Sequence, residues 1–122
     1  MTTLAIYSNK GGVGKTAAAV NLSYLAAQTG AKTLLCDLDP QSSATYYFRV
    51  KPKLRSGAKG FIKGSKQVYK SVKGTDYDNL DLLPADFSLR NLDAAFYKLR
   101  RSKKRLKKIL NPFRVEYDLI IL

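Results

Sequence analysis

The sequence predicts an α/β domain: a mostly parallel sheet with helices on both faces. Three observations carry this. Four short, mainly apolar runs, Leu4–Tyr7, Thr33–Cys36, Leu80–Leu83 (interrupted by Asp81) and Leu119–Leu122, show no sustained polar–apolar alternation, the pattern of strands covered on both sides. The segment between the first two runs has helical spacing and the length a parallel crossover needs. A glycine-rich turn follows the first run at once.

The elements follow in order. Leu4–Tyr7 reads as a buried strand running into that turn. Lys15–Gln28 reads as a helix with Ala19, Leu22 and Ala26 on one side and Val20 and Leu25 beside them, stopped by Gly30. Thr33–Cys36 is the second strand and ends in Asp37-Leu38-Asp39-Pro40. Ser43–Phe48 is a short helix or loop, with Tyr46, Tyr47 and Phe48 expected to pack. Residues 49–74 contain four glycines and read as an exposed, partly helical basic insertion, with Phe61, Ile62, Val68, Tyr69 and Val72 along one side. Leu80–Leu83 is the third strand, closed by Pro84. Leu89, Leu92, Phe96 and Leu99 then recur at helical spacing. A basic helix covers Lys103–Leu110, with Leu106, Ile109 and Leu110 on one side, and Pro112 ends it. Tyr117–Leu122 is the fourth strand.

Composition bounds the function classes. The chain has 122 residues, one domain's worth, and 45% hydrophobic residues suffice for a core. It has no histidine, which excludes His-based catalysis and His-ligated metals, and its single cysteine, Cys36, excludes an intrachain disulfide. Cys36 reads as a small buried residue of the second strand. No apolar run is long enough to span a membrane, and the N-terminus lacks a signal-peptide pattern, so a cytosolic setting is expected. The net charge is +13, which suggests a polyanionic partner. That charge is uneven. Residues 49–74 and 98–114 each carry nine bases and no acid, whereas residues 75–97 carry five aspartates against Arg90. Two readings of the basic segments stand side by side: contacts to DNA phosphates, or a solvated face that aids solubility.

The most informative segment is Asn9-Lys10-Gly11-Gly12-Val13-Gly14-Lys15-Thr16. Glycines let successive backbone N–H groups converge on a phosphate, and the following helix N-terminus adds a favourable dipole. A lysine at the helix start reaches β- and γ-phosphates, and the next hydroxyl can hold Mg²⁺. The usual phosphate-loop pattern has glycine where this chain has Asn9, and Lys10 is added before the double glycine. The carboxylates of Asp37 and Asp39, at the end of a parallel strand, face the same crevice as such a loop.

Lys10-Gly11-Gly12-Val13-Gly14-Lys15-Thr16 resembles the deviant Walker A motif of the ParA/MinD superfamily of P-loop ATPases, closest to ParA-type partition ATPases. Asp37-Leu38-Asp39-Pro40-Gln41 resembles the family's switch I, Asn79–Asp86 with Arg90–Asp93 a segment common after its third strand, and Glu116–Leu122 the run into its Walker B strand. The resemblance implies a P-loop NTPase fold, with residues 1–122 the N-terminal part of one such ATPase domain, cut before the sheet and the Walker B acid are complete. It implies ATP and Mg²⁺ bound by Lys10, Gly11, Gly12, Val13, Gly14, Lys15, Thr16 and Ala17, with Thr16 and Asp37 at the metal. It gives Lys10, Lys15 and Asp39 catalytic roles: Lys10 reaches the partner's phosphates in an ATP-sandwich homodimer, and Asp39 positions water. Nonspecific DNA, a ParB-like activating partner and a cytoplasmic, nucleoid-associated location complete the implied function, the partitioning of DNA or positioning of cargo. Alternatives are a MinD-like membrane-associated positioning ATPase, which needs a C-terminal amphipathic helix and against which the two basic segments weigh toward DNA, or an inactive truncated remnant that binds nucleic acid by charge alone.

Overall fold

The computed structural model describes residues 2–7, 14–55, 57–92 and 102–122. In chain order they form β1 (Thr2–Leu4), α1 (Lys15–Gln28), β2 (Thr33–Cys36), α2 (Ser43–Tyr47), α3 (Gly57–Lys63), α4 (Ser65–Ser71), β3 (Lys73–Gly74) and β4 (Leu80–Leu83). A 3₁₀ turn at Phe87–Asn91, α5 (Ser102–Leu110), a second 3₁₀ turn at Asn111–Val115 and β5 (Leu119–Ile121) follow. The expected helical residues Phe96 and Leu99 lie outside the described residues.

The five strands are ordered β1-β5-β2-β4-β3. All pairs are parallel except β3–β4. The expected mostly parallel sheet is therefore present. β2 and β4 occupy the expected residues. The first strand lies earlier, at Thr2–Leu4 rather than Leu4–Tyr7, because its position is set by pairing with β5: Thr2 sits opposite Leu119 and Leu4 opposite Ile121. Two further bonds, Leu122 N–H to the Leu4 carbonyl at 2.8 Å and Ile6 N–H to the Leu122 carbonyl at 2.9 Å, extend the ladder. β5 lies between β1 and β2, and Ile120 and Ile121 are fully buried, the interior place its continuous apolar run demands.

Side chains alternate between the two faces. Leu34, Cys36, Leu83 and Ile120 face a core that also holds Ala58, Phe61, Val68, Ile109 and Phe113. Leu35, Leu80, Leu82 and Ile121 face the other way, onto Ala19, Val20, Ala27, Ala44 and Phe48. Helices α1 and α2 thus cover one face, and α3, α4 and α5 the other, as the fold class requires.

Three expectations about packing are corrected. Residues 49–74 are partly helical but not an exposed excursion. Leu54, Phe61 and Val68 are almost fully buried, because α3 and α4 are the cover of the second face. Helix α1 buries Ala19, Val20, Ser23 and Ala27, while Leu22 and Leu25 are exposed. Small residues let its backbone approach the sheet, and the buried Ser23 hydroxyl is satisfied by the Val20 carbonyl at 2.9 Å. Of the aromatic triplet only Phe48 is buried; Tyr46 and Tyr47 are exposed, Tyr47 resting edge-on against Phe48, since a single turn of helix can aim one face inward.

Candidate functional site

At the C-terminal edge of the parallel strands, α1 begins directly beneath a cleft of about 430 Å³. Gly14 leads into the helix at φ +80°, a left-handed conformation that glycine adopts without penalty. No acid stands in the first turn of α1 and Gly14 supplies no side-chain cap, so among the described residues nothing compensates its first N–H groups and the positive end of its dipole. Lys15 and Thr16 line the cleft from this side, and Asp37 and Asp39 line it from the end of β2. Four expected site residues therefore meet in one place. Ala17 sits in the same first turn but does not line the cleft. Lys10, Gly11, Gly12 and Val13 lie outside the described residues.

Lys15 Nζ stands 3.2 Å from Asp39 Oδ2, with both side chains about one-third exposed. A partly solvated pair of this kind is worth at most about 1 kcal/mol. A polyphosphate, carrying several charges, competes with Asp39 for the ammonium on favourable terms. The other oxygen of Asp39 accepts the Gln41 N–H at 3.0 Å, which fixes the carboxylate at the mouth of the cleft. The Asp39–Ser42 turn closes through the Ser42 N–H and the Asp39 carbonyl at 2.9 Å. Ser42 adopts φ +62° there, an unusual conformation for a residue with a Cβ.

Asp37 is held differently. It is buried, and its Oδ2 accepts the Thr45 hydroxyl at 2.6 Å and the Thr45 N–H at 2.9 Å. Its Oδ1 accepts the Asp39 N–H at 3.1 Å. A carboxylate has about four lone-pair positions, so three of them are engaged within the protein. What remains suits a water of a hydrated cation better than direct ligation. Thr45 Oγ1 in turn accepts the Ala85 N–H at 2.9 Å, tying the ends of β2 and β4 together through α2. The sequence reading did not single out Thr45. Its contact with Asp37 spans eight positions and follows no spacing rule.

Among the described residues no group of three His, Cys, Asp or Glu side chains could hold a metal alone. Mg²⁺ does not need one, because it commonly uses one or two protein oxygens together with substrate phosphates. The Thr16 hydroxyl, at the cleft, fits that role directly, and the Asp37 carboxylate fits it through a water. Cys36 also lines it, but burial and the neighbouring Asp37 push its thiol up to about 12. It is a protonated wall residue, not a nucleophile.

The sheet order and this cleft together place the chain in the P-loop NTPase class. More narrowly, the chain belongs to the AAA domain family AAA_31, which matches residues 1–122, and its relatives are of the ParA/MinD type. It is 33% identical over 120 residues to the Bacillus subtilis sporulation initiation inhibitor protein Soj, covering 98% of this chain and 47% of Soj. The structure of the Cyanothece McdA–ATP complex is 30% identical with a TM-score of 0.87, over 99% of this chain and 46% of McdA. Mycobacterium smegmatis cobyrinic acid a,c-diamide synthase, solved with ADP and magnesium, is 28% identical with a TM-score of 0.87, over 99% of this chain and 50% of the synthase. The chain thus spans about half the length of the proteins it matches.

Proposed function

We propose that the protein carrying this chain is an ATPase that partitions DNA or positions a cellular cargo. The carrying observation is the convergence of Lys15 and Thr16, at the N-terminus of α1, with Asp37 and Asp39, at the end of β2, on one cleft. When nucleotide enters, Lys15 leaves Asp39 and neutralises charge on the β- and γ-phosphoryl oxygens. The first-turn N–H groups of α1, Ala17 among them, donate to the same phosphates. Thr16 would hold Mg²⁺ through its hydroxyl, and Asp37 would hold it through water. Mg²⁺, when bound, spreads the charge that builds up as the terminal phosphoryl group leaves. Asp39, released by Lys15, orients the attacking water.

Family resemblance supplies the rest of the proposal. Lys10 reaches across an ATP-sandwich homodimer, the dimer holds nonspecific DNA, and a ParB-like partner triggers hydrolysis and release. A cytoplasmic, nucleoid-associated setting accords with this, and no helix among the described residues is long and apolar enough to cross a membrane.

The test is radiolabelled ATP turnover and ATP-dependent dimerisation of the full-length protein, with and without DNA. Lys15→Gln is expected to abolish ATP binding. Lys10→Ala is expected to spare much of the binding and lose dimerisation. Undiminished turnover in Lys15→Gln, or intact dimerisation in Lys10→Ala, overturns the reading.

A further inference from the structure

The sequence separates its two acid-free basic segments by an acidic stretch; the fold brings them together. α3 and α4 come from residues 49–74, α5 from residues 98–114, and α5 packs against both of the others. One arginine makes the join. Arg105 Nε donates to the Ile62 carbonyl at 2.7 Å and its Nη2 to the Lys63 carbonyl at 3.0 Å, capping the end of α3 with a side chain of α5.

Beneath this join the layer is apolar: Ala58, Phe61, Val68, Ile109 and Leu110 are buried. Outward it is almost purely lysine. The exposed described side chains are Lys59 and Lys63 on α3, Lys66 and Lys70 on α4, and Lys104, Lys107 and Lys108 on α5. The single other exposed one is Tyr69, whose ring stacks on Phe113 and whose hydroxyl donates to Glu116 at 2.6 Å. Each helix repeats lysine one turn apart, at 59 and 63, 66 and 70, and 104 and 108. Like charges at that spacing destabilise a helix, and none of these lysines forms an ion pair among the described residues. Fold stability therefore does not account for them.

The geometry points to a single composite face, formed by α3, α4 and α5, that binds the phosphates of duplex DNA. It rests on the DNA-binding part of the function proposed above and adds the place and the mode. Lysine is a hydrated point charge suited to phosphate without base readout. Among the described residues of the face, Tyr69 is the exposed aromatic and is already stacked on Phe113, which leaves no free platform for unstacked bases, and no exposed aliphatic or Trp side chain stands ready for insertion into lipid. None of these lysines lines the nucleotide cleft. The face lies within one protomer, and the ATP-sandwich dimer proposed above joins two such faces, so binding is expected to tighten with ATP and to weaken on hydrolysis.

The experiment titrates full-length protein, with ATP and Mg²⁺ and without them, against a labelled random-sequence duplex of about 30 bp between roughly 50 and 200 mM salt. Binding is expected to fall steeply with salt. Joint replacement of Lys66, Lys70, Lys104 and Lys108 by Gln is expected to flatten the log–log slope by about 3–4 units. It should also weaken binding by more than about tenfold at the low-salt end. Replacing the same four by Arg should restore the slope, which separates charge loss from misfolding, and Lys32→Gln should leave it unchanged. An unaltered slope in the Gln set overturns the proposal. So does tighter binding to phosphatidylserine vesicles or single-stranded RNA than to duplex. ATP turnover of the same wild-type preparation is read separately. Its loss with salt-steep DNA binding intact breaks the ATPase reading alone; its presence with an unaltered slope breaks this face alone.

Discussion

The two faces of the sheet are covered by different means. On one side α1 meets the sheet through Ala19, Val20, Ser23 and Ala27, so the helix backbone lies close and its N-terminus is held at the strand edge. On the other side α3, α4 and α5 meet it through Phe61, Val68, Ile109 and, just beyond α5, Phe113, so the layer stands further off and turns lysine outward. Close approach suits a face that must aim a helix N-terminus at a phosphate. A thicker layer suits a face whose task is to present charge. The same sheet thus separates nucleotide chemistry from the proposed DNA contact.

The difference in packing is open to direct attack, and the largest effect is expected at Phe61. It is 1% exposed in the centre of the thicker layer. Phe61→Ala should cost about 3–5 kcal/mol by leaving a cavity, read as a fall in the urea midpoint. The opposite change tests the other face: Ala27→Leu adds volume at a buried position of α1 and should cost about 1–3 kcal/mol. Easy accommodation of leucine at 27, with a mild effect at 61, would reverse the comparison.

A smaller effect is expected at Thr45, which couples the nucleotide edge to β4. Thr45→Val keeps the shape but removes the hydroxyl that donates to Asp37 and accepts from the Ala85 N–H. Two buried polar groups lose a partner, at a cost of about 1–3 kcal/mol. Asp37 is loosened at the same time, so ATP affinity measured at fixed Mg²⁺ should fall as well. A stability loss with unchanged ATP affinity would show that Thr45 serves the fold but not the site.

What was legible in the sequence follows from what each element depends on. β2 and β4 are short, mainly apolar runs bounded by a turn or by Pro84, and both lie where the runs do. β3 is Lys73–Gly74; nothing in those two residues marks a strand, and only pairing with Leu82 and Asp81 creates it. Helix α1 is apolar nearly all round, so periodicity placed the helix but not its inward side. In residues 49–74 charge and glycine dominate the composition, which hid the burial of Leu54, Phe61 and Val68. At the site, Lys15, Thr16, Asp37 and Asp39 were legible because local motifs specify them. Thr45 was not, because tertiary structure alone brings it to Asp37.

The smallest expected effect tests how the thicker layer is anchored. Asp86, just past β4, accepts the Leu54 N–H at 2.9 Å through Oδ2, and the Ser88 N–H and hydroxyl at 2.9 and 2.6 Å through Oδ1. The Ala58 N–H donates to the same Ser88 hydroxyl at 2.8 Å, so one carboxylate organises the entry into α3. Burial pushes its pKa up, but the bonds from Ser88 and Leu54 and the charge of Lys53 outweigh this and hold it below 3.8. A lowered folded value means the stabilisation is fully present above the ordinary aspartate pKa and is lost as pH falls through the lowered one. Asp86→Asn removes the charge and one acceptor oxygen, and should cost about 1 kcal/mol at pH 7. In urea unfolding the gap between wild type and variant should therefore be widest near neutrality and close below about pH 4. A gap that persists unchanged into acid would mean that the hydrogen-bond geometry of Asp86, rather than its charge, secures α3 to the sheet.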